Sequence, residues 1–184
     1  MSTATTTIAS IPQGNWAIDP SHSSVEFTVK HMGIATVRGQ ATKFEGTIQS
    51  SDDQAGLNGS VDVASITTHD EQRDEHLGAP DFFDVERYPQ IAFRSDSIEV
   101  AEDGSVRIPG EITLKGVTKP IELTGSYQGA GTDPWGNERF GLEVSATIDR
   151  RDFGLNWNQP LPGGGLLVSN DVTLLLSASA VKGE

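Results

Sequence analysis

Apolar and polar residues alternate along much of this chain, which is the period of a strand with one face in water. In Ser24-Val25-Glu26-Phe27-Thr28-Val29-Lys30 the odd positions are apolar and the even ones polar. Ser60 to Val63 is a shorter case, and Ile91/Phe93, Ile112/Leu114 and Ile121/Leu123 repeat it. Leu142 to Asp149 is the longest clean run, and Val172, Leu174, Leu176 and Ala178 close the series. Turn residues punctuate these runs at Asp52-Asp53, Leu57-Asn58-Gly59, Glu102-Asp103-Gly104, Lys115-Gly116 and Asp133-Pro134-Trp135-Gly136-Asn137. Many short strands with one wet face predict an antiparallel sandwich or barrel.

Two segments depart from plain alternation. Val37, Gly39 and Ala41 share one parity, whereas Phe44, Gly46 and Ile48 share the other. A single flat strand cannot bury both sets. A bulge between them would, and it would bend the chain as a closing barrel requires. The second segment, Thr68 to Gly78, is polar and helical in texture. Thr68 with Glu71 predicts a capping box, acids crowd the first turn, and Gly78 and Pro80 stop the helix. The helix lacks an apolar stripe of its own, so the following Phe82 and Phe83 are predicted to reach the core.

Composition narrows the function. The 184 residues form one domain of ordinary size, with 13 basic and 26 acidic residues and a net charge of −13. That charge opposes non-specific binding to nucleic acid and to anionic membrane surfaces, both of which need basic patches. No apolar run reaches the length of a membrane span, so no stable membrane insertion is expected. The absence of cysteine removes disulfides, thiolate metal sites and cysteine nucleophiles. Residues 1–13 read as a flexible Thr/Ser tail and residues 14–184 as one domain. The start shows no signal-peptide pattern, and a cytoplasmic location is the expectation.

The chemistry-bearing residues form no complete motif. His69 and His76 could share a helix face, but they lie seven apart and not at the four-residue spacing of H-E-x-x-H, so no metal site is expected. Asp19, Ser21 and His22 are the residue types of a serine triad, yet sequence proximity is not a triad, and no G-x-S-x-G elbow accompanies them. Gly163-Gly164-Gly165 lacks the ending of a phosphate loop and reads as a flexible hairpin. Arg150-Arg151-Asp152 reads as a strand end with a local ion pair, or as a two-arginine anion site. No catalytic residue and no cofactor is therefore assigned.

Four blocks, taken together, are familiar. They are Trp16 to Phe27 continuing through Lys30-His31-Met32-Gly33 to Arg38-Gly39; Arg73 to Leu77 with Asp81 to Val85 and Tyr88-Pro89; Gly110 to Pro120; and Ile148-Asp149-Arg150 with Asp152-Phe153-Gly154. The chain resembles the YceI-like family of lipid- and polyisoprenoid-binding proteins. The resemblance implies an all-β, up-and-down lipocalin-like barrel of about eight antiparallel strands, with a short helical insertion near residues 68–88 closing one end of an apolar tunnel. It also implies a ligand that is an isoprenoid or other long-chain lipid, and many relatives look exported.

Strand parity then selects a tunnel lining of Val25, Phe27, Val29, Val63, Phe82, Phe93, Leu114, Leu123, Leu142, Val144, Leu174 and Leu176. His31 and Arg38, at a strand end and beside the expected bulge, are the candidates for a polar head group, or for buried structural hydrogen bonds. The expected function is non-catalytic carriage or sequestration of such a lipid. The alternatives are an enzyme using His22 or His31 as base, and a barrel with a filled core that acts through protein contacts. The oligomeric state is open.

Overall fold

The computed structural model describes residues 11–183. In chain order the elements are β1 (Gly14–Ile18), β2 (Ser24–His31), β3 (Ala35–Ala41), β4 (Phe44–Ser50), β5 (Ala55–Asp62), β6 (Ile66–Thr67), α1 (Glu71–Gly78), β7 (Gln90–Ser95), β8 (Glu99–Val100), β9 (Ser105–Leu114), β10 (Val117–Thr132), β11 (Glu138–Asp149) and β12 (Val168–Lys182). Every strand pairing is antiparallel.

The strands make a closed ring once the short ones are joined. β1 and β2 run in succession along β12, the first beside Ala180–Lys182 and the second beside Val168–Ser177. β3 and β4 lie in the same way along β2 and β1. β5 and β6 follow along β4 and β3. These three kinked pairs, with β7, β9, β10, β11 and β12, are eight staves, each beside its sequence neighbour, and the first closes on the last. This is the expected up-and-down barrel of eight strands, and closure leaves few free edges.

The parity change at Val37–Ile48 has its predicted consequence. The chain kinks at Thr42–Lys43, where Thr42 N donates to Ser65 O (3.2 Å) and Lys43 N to Ser65 Oγ (2.9 Å). Gly39 and Ala41 on one side of the kink and Gly46 and Ile48 on the other are all buried. Leu57-Asn58-Gly59, expected as a turn, is instead inside β5, where Gly59 faces Gly46. Two apposed glycines let neighbouring backbones approach closely, so the glycine marks packing and not a turn.

The interior divides into two clusters. Trp16, Ile48, Ile98, Val100, Ile108, Phe140 and Leu142 fill one end solidly, and Trp16 meets Phe140 edge-on at 4.7 Å. Ile11 joins that cluster at 2% exposure, and Pro12 O accepts from Trp16 Nε1 at 2.9 Å. Residues 11–13, expected in the tail, therefore belong to the fold; the rest of that expectation lies outside the described residues. The second cluster holds Phe82, Ile112, Leu114, Ile148, Phe153 and Leu155 and lines the other end.

The helix starts later than expected. Asp70 is its cap, accepting from Arg73 N at 2.9 Å. Thr68 is buried before it and, with Thr67, donates to the Asp74 carboxylate. An aspartate two residues downstream outcompetes the threonine cap, because a carboxylate is the better acceptor at a helix N-terminus. His69 precedes the helix with φ of 61°, so His69 and His76 share no helix face. No side chain of α1 is buried, as its polar texture predicts.

Candidate functional site

The half of the barrel that the solid cluster leaves free contains a cavity of about 710 Å³, within the usual range for small-molecule sites. Nine of the twelve expected lining residues border it: Val25, Phe27, Val29, Phe82, Phe93, Leu114, Leu123, Leu174 and Leu176. Leu142 and Val144 do not. They point inward, but they lie where Phe140, Ile108 and Val106 fill the lumen. Parity tells inside from outside; it does not tell a filled layer from an empty one. Val63 is also excluded, because it sits in a 3₁₀ turn (Val63–Ser65) between β5 and β6 and packs into the wall, its N–H bonded to Pro89 O at 2.9 Å.

Glycines keep the lumen open. The Phe27 ring lies over Gly39, its cross-strand partner, in direct contact with the space a Cβ would fill. The Phe93 ring lies against Gly110 in the same way. Each ring is laid along the wall and does not project into the lumen.

Polar groups gather at the open end. His31, Lys30, Asp70, Arg73, His76 and Arg150 all border the cavity. His31 ends β2 opposite Val168. Arg38 does not line the cavity: it pairs with Thr28 on the outer face, because Val37, Gly39 and Ala41 take the inner parity. His76 stands edge-on to Phe82 (4.9 Å) and to Trp157 (4.8 Å), so α1 touches the loop before β12 through these rings.

For Arg150 the sequence offers a strand end with a local ion pair or a two-arginine anion site; it offers no role for Trp157. Arg150 is 4% exposed and donates to Leu155 O (2.7 Å), Ser169 O (2.9 Å) and Val168 O (3.5 Å). Burial pulls its pKa below the usual arginine range, with the neighbouring Asp149 opposing that. It makes no carboxylate hydrogen bond, whereas Arg151 takes Asp149 at 2.6 Å and pulls that acid down to about 2. The local ion pair is thus Arg151–Asp149, and the two arginines do not form one anion site. The signal for Arg150 was legible: Val144, Ala146, Ile148 and Arg150 share the inward parity.

The Asp19, Ser21 and His22 group lies on the chain leaving β1, away from the cavity lining. His22 Nδ1 meets both Asp19 Oδ2 (2.9 Å) and Ser21 Oγ (3.0 Å). A triad needs the acid on one ring nitrogen and the nucleophile on the other, so this is a turn network. Arg139 bridges Asp19 (2.9 Å) and Asp133 (2.8 Å) and ties the β10–β11 turn to the end of β1. Hydrogen bonds from His22 and then Arg139 hold Asp19 well below the usual carboxylate range. Among the described residues no group of three metal-ligating side chains gathers, and no helix is long and apolar enough to cross a membrane.

Comparison with known proteins agrees with this architecture. The YceI-like domain model matches residues 16–180. A UPF0312 protein of Pseudomonas savastanoi pv. phaseolicola is 32% identical over 142 residues, covering 76% of this chain and 74% of that protein. The crystal structure of Burkholderia cenocepacia BcnA superposes with a TM-score of 0.74 at 21% identity, over 88% of this chain and 98% of that one. A polyisoprenoid binding domain from Saccharophagus degradans, implicated in plant cell wall breakdown, gives a TM-score of 0.71 at 14% identity, over 91% of this chain and 98% of that one.

Proposed function

Because the chain belongs to the YceI-like family, we propose that it binds a long-chain isoprenoid or similar amphipathic lipid in the barrel lumen and carries or sequesters it without catalysis. The observation that carries this reading is the cavity itself: mostly aliphatic and aromatic walls through its depth, with the charged and imidazole groups, Glu26 apart, gathered at one end. That is the polarity profile of a molecule with one apolar tail and one polar head. The Saccharophagus domain named for polyisoprenoid binding shares the barrel, which supports the choice of tail.

Magnitudes set a lower limit on the ligand. Each five-carbon unit buried contributes about 4 kcal/mol, taking about 0.8 kcal/mol per carbon. Association and ordering of a flexible chain cost on the order of 4–15 kcal/mol. One unit cannot offset that; about three or more can. His31, at the polar end, then lies beside the head group.

The test is a displacement titration with prenyl alcohols of five, ten, fifteen and twenty carbons. Affinity is expected to rise steeply with length and to level off once the cavity is full. Equal, weak affinity at all four lengths would contradict a tail-binding site.

A further inference from the structure

Four large hydrophobic side chains are exposed among the described residues, and three of them stand at the open end of the barrel: Met32 (44%), Ile34 (81%) and Leu166 (46%). Met32 N donates to Leu167 O at 2.8 Å, which ties the β2–β3 turn to the loop that carries Leu166. The next residues inward on both segments, His31, Leu167 and Val168, line the cavity. The exposed apolar tips are therefore continuous with the cavity wall.

The turn itself is chosen against local preference. Met32 and Gly33 have φ of 55° and 71°, and Ile34 N closes on His31 O at 3.1 Å. Two successive positions of positive φ favour Asn-Gly or Asp-Gly, and Ile34 completes a three-residue loop between the paired His31 and Ala35. Here an apolar residue holds the left-handed position while its side chain stays 44% exposed, a break of a local rule that points to a use outside the barrel's own packing.

Charge follows the same boundary. Residues 27–44 contain Lys30, Arg38 and Lys43 but no acid, and residues 153–170 contain no charged residue at all, in a chain with 26 acids. Among the described residues none of these three cations forms a salt bridge. The acids at this end are on other elements: Asp70, Glu71, Asp74 and Glu75 on and before α1, Asp149 and Asp152 at and just after the end of β11, and Glu26 and Asp171 flanking the two segments. Lys43 lies away from the tips at the β3–β4 kink, so the basic patch is local, with Lys30 nearest the two loop tips.

We propose that the β2–β3 turn and the loop carrying Leu166 dock on the surface of an anionic phospholipid bilayer, with Met32, Ile34 and Leu166 entering the interface and Lys30 beside the head groups. Shallow apolar insertion plus basic contact is how a peripheral protein holds to such a surface. A bilayer fits better than a protein partner, because three side chains on two loop tips cover far less than the roughly 800 Å² per side of a stable protein contact. Docking there sets the cavity's end against the medium in which water-insoluble chains are stored. Adsorption to a vesicle is read whether or not the cavity is filled, so this proposal and the lipid-binding reading can fail separately.

Flotation of the purified protein with vesicles tests it. Wild type is expected to float with phosphatidylcholine–phosphatidylglycerol vesicles and less with phosphatidylcholine alone. Ile34→Ser with Leu166→Ser should lower flotation at least about tenfold with melting unchanged, since both side chains are exposed. Lys30→Glu should remove the preference for the anionic vesicles. Wild type that does not float, or a double variant that floats as wild type does, overturns the proposal. So does a wild-type dimer in solution that the double variant dissociates, because the tips would then be a protein contact.

Discussion

Phe27 and Gly39 show how one pair of residues decides whether a barrel has a lumen. The ring rests where a Cβ at position 39 would stand, so Gly39→Ala must move the ring. Overpacking a filled core costs about 1–3 kcal/mol, but here the ring has empty space to enter. Gly39→Ala is therefore expected to lower lipid affinity about tenfold, roughly 1.4 kcal/mol, while thermal stability changes by less than about 1 kcal/mol. Titration and melting on the same sample check this. A large loss of stability with unchanged affinity would mean that the ring is fixed and the lumen lies elsewhere. Arg150 makes the complementary point. Its inward parity was visible in the sequence, but its use of three backbone carbonyls was not, because loop carbonyls have no sequence signature.

Strands were legible where alternation was long, as in β2, β11 and β12, because a half-buried strand imposes its period on the residues. The kink between β3 and β4 was legible too, since the parity change has no other solution in a closed wall. Boundaries set by competition were not: the Asp70 cap displaced Thr68, and Gly59 continued a strand it was expected to end. Gly78 and Pro80 are the residues about which the segment from Thr68 to Tyr88 would swing if it moved as one piece. Its turn is in fact well tied, with Val85 N on Gly78 O (3.0 Å), Phe83 N on Leu77 O (2.9 Å) and Lys115 Nζ on Pro80 O (2.8 Å). α1 itself fully buries no side chain; Asp74 and Arg73 tie it to Thr67 and Thr68, Leu77 packs part-buried on the cluster below it, and it meets the opposite loop through His76. Elements with little buried surface open at low free energy. Hydrogen exchange is expected to show residues 71–78 opening faster than β9 to β12 and slowing when lipid is bound. Protection equal to the strands in both states would make α1 a fixed plug and put entry elsewhere.

The molecule as a whole is a barrel used in two halves. One end is packed by Trp16, Phe140 and the β8 region, and anchored by the Asp19–Arg139–Asp133 bridge; the other is left hollow. The outline of this was in the sequence: seven alternating runs and the parity change at Val37–Ile48 predict a sandwich or barrel, and the resemblance to the YceI-like family implies the eight strands and the capped end. The division into filled and empty layers was not, because Leu142 and Leu174 carry the same parity and the same apolar side chain. Only the three-dimensional stacking of layers separates them. The central claim is that the hollow half holds a lipid, and native mass spectrometry of the protein purified without detergent addresses it most directly. One lipid per chain is expected, released by organic solvent and identified as an amphipathic molecule with a long isoprenoid or comparable tail. A chain mass without adduct, unchanged after incubation with such lipids, would contradict the account.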